Sequence, residues 1–232
     1  VAERPVHRDA TLGLWVVASA AAVAAVLTSE RCRVRPPAEP VPRALAGSAA
    51  GEVFSALVRM NDGAAHAALK PRVTGALAAL DPGTVADHAR RHARALAAAH
   101  GPDALAARLP AYVVGSLLGV PDDRLEATAR WTGDLARCFA PGAGAEHVEA
   151  GGRAATALRG LVGGDEALVA NRVGFLFQAC DATAGLIGNT LLALGRHPDA
   201  AARWRDDASA RPAVVSEVVR FDPPVQNTRR FV

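Results

Sequence analysis

The chain has 232 residues, half of them hydrophobic, and a formal net charge of +3. That length holds one large domain or two small ones, and an apolar half can bury a sizeable core, which excludes a chain disordered as a whole. The arginines are scattered rather than gathered in a basic run with interleaved aromatics, which excludes a nucleic-acid footprint. Alanine dominates the apolar half and aromatics make up only 4%. With Ala, Leu and Arg as strong helix formers, the composition predicts a mainly α fold.

In chain order, "PVHRDATLGLWVVAS" predicts a β-hairpin, two short apolar runs around a glycine-containing turn. A helix follows to about Leu27. The apolar run Leu12–Leu27 falls short of the roughly 20 residues of a membrane span. The start, with Glu3, Arg4, His7, Arg8 and Asp9, lacks the basic-then-apolar layout of a signal peptide. Cys32, Cys138 and Cys180 share no C-x-x-C spacing and are odd in number, so neither a disulfide framework nor a zinc site is expected. These features together predict a cytoplasmic protein without a membrane partner.

The Pro/Gly-rich stretch "RVRPPAEPVPRALAGSAAG" is loop. Helices are then expected at Gly51–Met60, Ala64–Leu80, Thr84–Ala99, Asp103–Leu118, Asp122–Cys138, Glu146–Val162, Asp165–Leu194, Asp199–Arg205 and Arg211–Arg220. The breaks between them carry Gly, Pro and Asp punctuation. Asp62 is positioned to cap the second of these helices. "FDPPVQNTRRFV" leaves helix at Pro223-Pro224 and reads as turn then strand. The Asp165–Leu194 helix is the longest and apolar nearly all round, which predicts a buried central helix. Residues 1–232 read as one domain.

Four groups of side chains are candidates for chemistry. Asp181 and Thr183 interrupt the apolar central helix, and an acid there is costly unless paired, hydrated or neutral. His88 and His92 stand four apart, but the Glu of H-E-x-x-H is replaced by Ala89, so a solvated basic face is the expected reading. His66 and Lys70, the chain's only lysine, share a helix face that could bind an anion, with two solvated side chains as the default reading. Glu217 and Arg220, at i and i+3, form either a surface ion pair or a structural one. No G-x-S-x-G, Walker-type or G-x-G-x-x-G loop occurs, so hydrolase and nucleotide-binding chemistry lack their residues.

The ordered set "RMNDGAAHAALKPRV", "LARLPAYVVGSLLGVPDDRLEATARW", "FLFQACDATAGLIGNTLLALGRHPDAAARWR" and "SEVVRFDPPVQNTRRFV" resembles bacterial cytochrome P450s over almost the whole chain. The resemblance implies a cytochrome P450-like helical fold with a small β-sheet, truncated before the haem-Cys loop, so that residues 1–232 are a single incomplete domain. It implies that Glu217 and Arg220 are the family's buried E-x-x-R ion pair. His66, Lys70 and Arg229 match the cations that hold haem propionates, with Lys70 a point charge where an Arg is usual. Asp181 matches the acid of the oxygen-activating bend.

The departures are equally specific. The family's proximal thiolate comes from a glycine-rich loop that no segment here matches. The acid-alcohol pair falls on Asp181-Ala182, so the hydroxyl is missing, and Thr183 stands about 100° further round the helix. Only a local bulge would return it to Asp181. Gln178-Ala179 replaces the usual small pair, and the connection into the central helix is short.

Two functions follow from the resemblance. One is a haem-free P450-like auxiliary protein that binds and stabilises or activates a deoxysugar glycosyltransferase in antibiotic biosynthesis. In this reading no catalytic residue and no cofactor are expected, and Asp181, Ala182 and Thr183 are remnants. The other is a haem monooxygenase whose Cys loop is absent from this chain. In that reading haem is the cofactor and His66, Lys70 and Arg229 contact it.

Overall fold

A computed structural model describes residues 4–232, excepting the side chains at 102, 166 and 167. Glu3, part of the charged start, lies outside the described residues. The hairpin forms as expected: β1 (Val6–Asp9) pairs antiparallel with β2 (Leu14–Val17), with Val6 opposite Val17. Its turn is held by Asp9, whose carboxylate accepts from the backbone N–H groups of Thr11 and Leu12. The helix α1 (Ala20–Thr28) follows, capped by Ser19, and buries no residue fully because no other element packs closely on it.

The core is built by α2 (Ala49–Ala56), α5 (Pro102–Leu117), α6 (Leu125–Phe139), α7 (Ala145–Val162) and the first half of α8 (Glu166–Arg196). Each contributes an apolar stripe at helical spacing. In α6 the stripe is Leu125, Thr128, Thr132, Leu135 and Cys138, all buried. Its two hydroxyls cost little there, because Thr128 and Thr132 donate to the carbonyls of Arg124 and Thr128 one turn back. Leu158 of α7 and Leu176 of α8 are fully buried in the same cluster. Helices α6 and α7 cross so closely that a Cβ at Gly151 would overlap the Cys138 side chain, its Sγ lying at 2.5 Å.

The remaining helices surround this bundle. They are α3 (Gly63–Ala78), α4 (Pro82–Ala99), α9 (Pro198–Asp206) and α10 (Arg211–Phe221). The sequence placed every one of these helices within two residues or so of its observed ends. Two expectations are corrected. Asp62 stands at the N-cap of α3 without bonding to the helix; its carboxylate accepts instead from Val34 N–H at 3.0 Å, tying down the Pro-rich loop. The strand expected at the C-terminus is a single antiparallel bridge, Phe231 to Arg33.

The larger correction concerns α8. It runs 31 residues as uninterrupted α-helix, yet among the described residues Thr190 alone is buried in its second half. Asn171, Val173 and Leu176 lie in the core, whereas Asp181, Thr183, Leu191 and Leu192 are exposed. The physical reason is partner supply. Val169, Val173 and Leu176 of the first half join the core cluster, while Ala193 and Leu194 of the second line a groove with α9 and α10, and Asn189 bonds Asp222 C=O just past α10. No helix among the described residues is long and apolar enough to cross a membrane.

Candidate functional site

The break between α2 and α3 positions the chemistry. At residues 56–58 the chain passes from α-helix into a 3-10 turn, Val58–Met60, which frees backbone groups. Asn171 of α8, 3% exposed, satisfies two of them: its Oδ1 accepts from Val58 N–H at 2.9 Å and its Nδ2 donates to Ala56 C=O at 3.0 Å. That side chain bolts the turn to α8. The next residue, Arg59, then reaches along α8 and donates to Gln178 Oε1 at 3.2 Å. Gln178 is held in turn by its own bond to Gly174 C=O.

Two cavities border Arg59. The first, about 570 Å³, lies between α3, α5 and α8. Its wall carries Arg59, His66, Lys70 and Arg172, no acid, and apolar side chains such as Leu77, Leu117 and Phe175. Arg172 is already committed, donating to the carbonyls of Val162 and Gly163 at the end of α7. The second, about 680 Å³, lies between the Pro-rich loop, the end of α6 and residues 227–231. Arg35, Arg59, Arg229 and Arg230 border it, with Glu39 as the one carboxylate. Both volumes fall in the roughly 300–1,000 Å³ of small-molecule sites.

The structure therefore divides the three expected propionate contacts. His66 and Lys70 share the first cavity, one helical turn apart on α3, while Arg229 borders the second. Asp181 and Thr183 are both exposed on an unbulged helix, with Ala182 between them. A step of two residues turns a side chain by about 200°, so Thr183 points away from Asp181. Glu217 and Arg220 do form a two-pronged ion pair at 2.7 and 2.8 Å, but both side chains are more than half exposed. α10 buries only Val218, and among the described residues the pair lies at the surface rather than buried as expected.

Two of the three cysteines sit where burial disfavours a thiolate. Cys180 donates to Leu176 C=O, and burial, then the neighbouring Asp181 charge, push its thiol up to about 11. Cys138 borders the second cavity but is 2% exposed, and burial raises its pKa as well. A thiolate ligand needs the opposite environment, one that lowers the pKa. The three cysteines are free, and no group of three or more His, Cys, Asp or Glu among the described residues is placed to hold a metal ion.

Sequence reasoning misjudged one residue pair and overlooked two residues. His88 and His92 do stack, ring centroids 6.1 Å apart, but His92 is 5% exposed rather than solvated. It bonds Ser116 Oγ at 2.8 Å and meets the Tyr112 ring edge-on. Burial first, then Arg91, lowers its pKa. Tyr112 donates to Glu126 at 2.7 Å, and burial with that bond raises its pKa to about 12. Asn171 and Arg35 went unnoticed. Asn171 sits in an apolar helix with no periodic signal, and Arg35 sits in a loop whose prolines dominate its reading.

Comparisons with known proteins agree with this architecture. No family model matches the sequence. The putative cytochrome P450 133B1 of Xylella fastidiosa is 41% identical over 63 residues, 27% of this chain and 16% of that protein. Cytochrome P450 107B1 of Saccharopolyspora erythraea is 30% identical over 146 aligned residues, 54% of this chain and 36% of that protein. Among solved structures, CalO2 superposes with a TM-score of 0.73 at 26% identity, covering 95% of this chain and 64% of its own. CYP109Q5 of Chondromyces apiculatus gives 0.74 at 22% identity, covering 98% and 64%. The fold is thus the mainly helical cytochrome P450 fold with its small sheet, present over about two thirds of the neighbours' length. Sequence relatives and structural neighbours together support the cytochrome P450 superfamily for this chain.

Proposed function

We propose that this chain works by binding rather than by oxygen activation: a P450-scaffold auxiliary protein that stabilises or activates a deoxysugar glycosyltransferase in natural-product biosynthesis. The observation that carries the reading is the state of α8 at Asp181-Ala182-Thr183. The alcohol is replaced by Ala182, the helix has no bulge to bring Thr183 back, and Asp181 faces solvent. The raised thiols of Cys138 and Cys180 support it too. Exposed Leu191 and Leu192 on α8 and Val219 and Phe221 on α10 supply apolar surface of the kind protein partners cover.

A second reading is favoured by a different observation. Among the described residues His66 and Lys70 have no hydrogen-bond or ion-pair partner, and the cavity wall they share carries no acid, which suits the propionates of a haem monooxygenase. Absorbance of the purified full-length protein, including whatever the gene encodes after Val232, separates the two after reduction under carbon monoxide. The auxiliary reading expects no thiolate-haem Soret band, together with co-elution with a glycosyltransferase supplied in equimolar amount. A Soret band of the thiolate type overturns it in favour of the monooxygenase.

A further inference from the structure

The second cavity has a chemistry of its own. Its guanidinium groups outnumber its carboxylates four to one: Arg35, Arg59, Arg229 and Arg230 against Glu39. Glu39 is already shared, lying 4.0 Å from Arg35 and 3.8 Å from Arg43. Arg59 is engaged by Gln178, and Arg230 by Thr228 Oγ1 and the Arg229 carbonyl. Each of these two arginines uses Nη1 alone, so all four guanidiniums keep donors; Arg35 and Arg229 stand out because one has a buried Nε without a partner and the other has no partner among the described residues.

Arg35 is the more constrained. Its side chain is 18% exposed, and Phe54 and Phe231 lie against the guanidinium at 5.4 and 5.6 Å. Nη2 donates to Glu39 C=O at 2.9 Å, but Nε is buried with no hydrogen-bond partner among the described residues. A buried charged donor left unpaired is unfavourable, and Nη1 of the same fork also makes no hydrogen bond among the described residues. Arg229 is exposed and its guanidinium has no partner among the described residues. The Arg33–Phe231 bridge, with N–H···O distances of 2.7 and 2.8 Å, fixes residue 231 beside the Pro-rich loop and so brings these two arginines to one cleft.

The rest of the wall is aromatic and apolar: Phe54, Phe139, Phe231 and Met60. A planar guanidinium fork matches a carboxylate, and aromatic faces match a flat apolar body. We infer that this cleft is a binding site for an aromatic carboxylate, its carboxyl group taken by Arg35 and Arg229 and its ring by the phenylalanines. The inference stands apart from the partner-binding reading above, since ligand binding by the chain alone tests it.

The test is calorimetric titration of the 232-residue chain with 2-naphthoate, its neutral amide 2-naphthamide, and 2-naphthyl phosphate. The carboxylate is expected to bind about tenfold or more tightly than the amide, the size of one charge-assisted hydrogen bond. Arg229→Gln, at an exposed position where folding is not at stake, is expected to lose that advantage, and Arg35→Gln to lose it as well. Arg153→Gln, which breaks a surface pair with Glu149 outside the cleft, is expected to leave it unchanged. Equal binding of carboxylate and amide overturns the proposal. So does an unchanged carboxylate affinity in folded Arg229→Gln, and binding of the phosphate alone overturns the carboxylate assignment.

Discussion

The two halves of α8 differ sharply in burial. Residues 171–176 carry Asn171, Val173 and Leu176, each 3% exposed or less. Fifteen residues on, Leu191 is 54% and Leu192 47% exposed. The helix does not change in backbone or in apolar content between them. The surroundings change, from the core cluster to a groove shared with the short α9 and α10. Burial is thus a property of what packs against a stripe and not of the stripe itself, and a polar residue in an apolar helix is costly only where such packing exists.

Breaking the buried half should have the largest effect. Leu176→Ala or Leu158→Ala is expected to lower unfolding free energy by about 2–5 kcal/mol in urea titration, whereas Leu192→Ala should change it by about 0.5 kcal/mol or less. Equal losses at both ends would erase the contrast. Next in size is the polar strut. Asn171→Ala leaves Ala56 C=O and Val58 N–H without their partner and should cost about 1–3 kcal/mol. Asn189→Ala removes a single bond, to Asp222 C=O at 2.8 Å in the less buried half, and should cost about 1 kcal/mol.

A third measurement probes the buried side through pH. His92 has its pKa lowered in the fold below the ordinary 6.5 by burial and Arg91, with His88 adding and Asp122 opposing. As pH falls through 6.5 the unfolded chain takes up this proton first, so stability should fall from there until the folded value is passed. The thermal midpoint should therefore drop between neutral and mildly acid pH, and less so in His92→Gln. The smallest effect is expected on the exposed side: Glu217→Ala should leave the thermal midpoint unchanged within error. A clear loss there would show that the E-x-x-R pair is covered after all.

Most of the architecture was legible in the sequence because it is local. Gly, Pro and Asp punctuation and 3.6-residue stripes placed the hairpin and the helices, with ends off by about one turn at worst. The ordered segments also led to the P450 scaffold, which the comparisons support. The site was less legible because it depends on distant contacts. Nothing in "HARRHARAL" announces that Ser116, 24 residues away, will bury His92. Nothing in "LVANRVG" shows that Asn171 will meet a helix break 113 residues earlier. The separation of Arg229 from His66 and Lys70 likewise follows from the Arg33–Phe231 bridge, whose two ends are nearly the length of the chain apart.

The bridging amide of Asn171 has one further consequence, for which letters the position accepts. The site asks one side chain for an acceptor and a donor at fixed separation, in a space the size of a four-atom branch. Asp has the shape and the acceptor but no donor when ionised, and its charge would be stranded in the core. Leu has the shape and neither function. Gln has both functions one methylene too far out. Position 171 is therefore a one-letter site on a helix whose exposed end admits almost any letter, and homologous chains sharing the break at 56–58 should be monomorphic there.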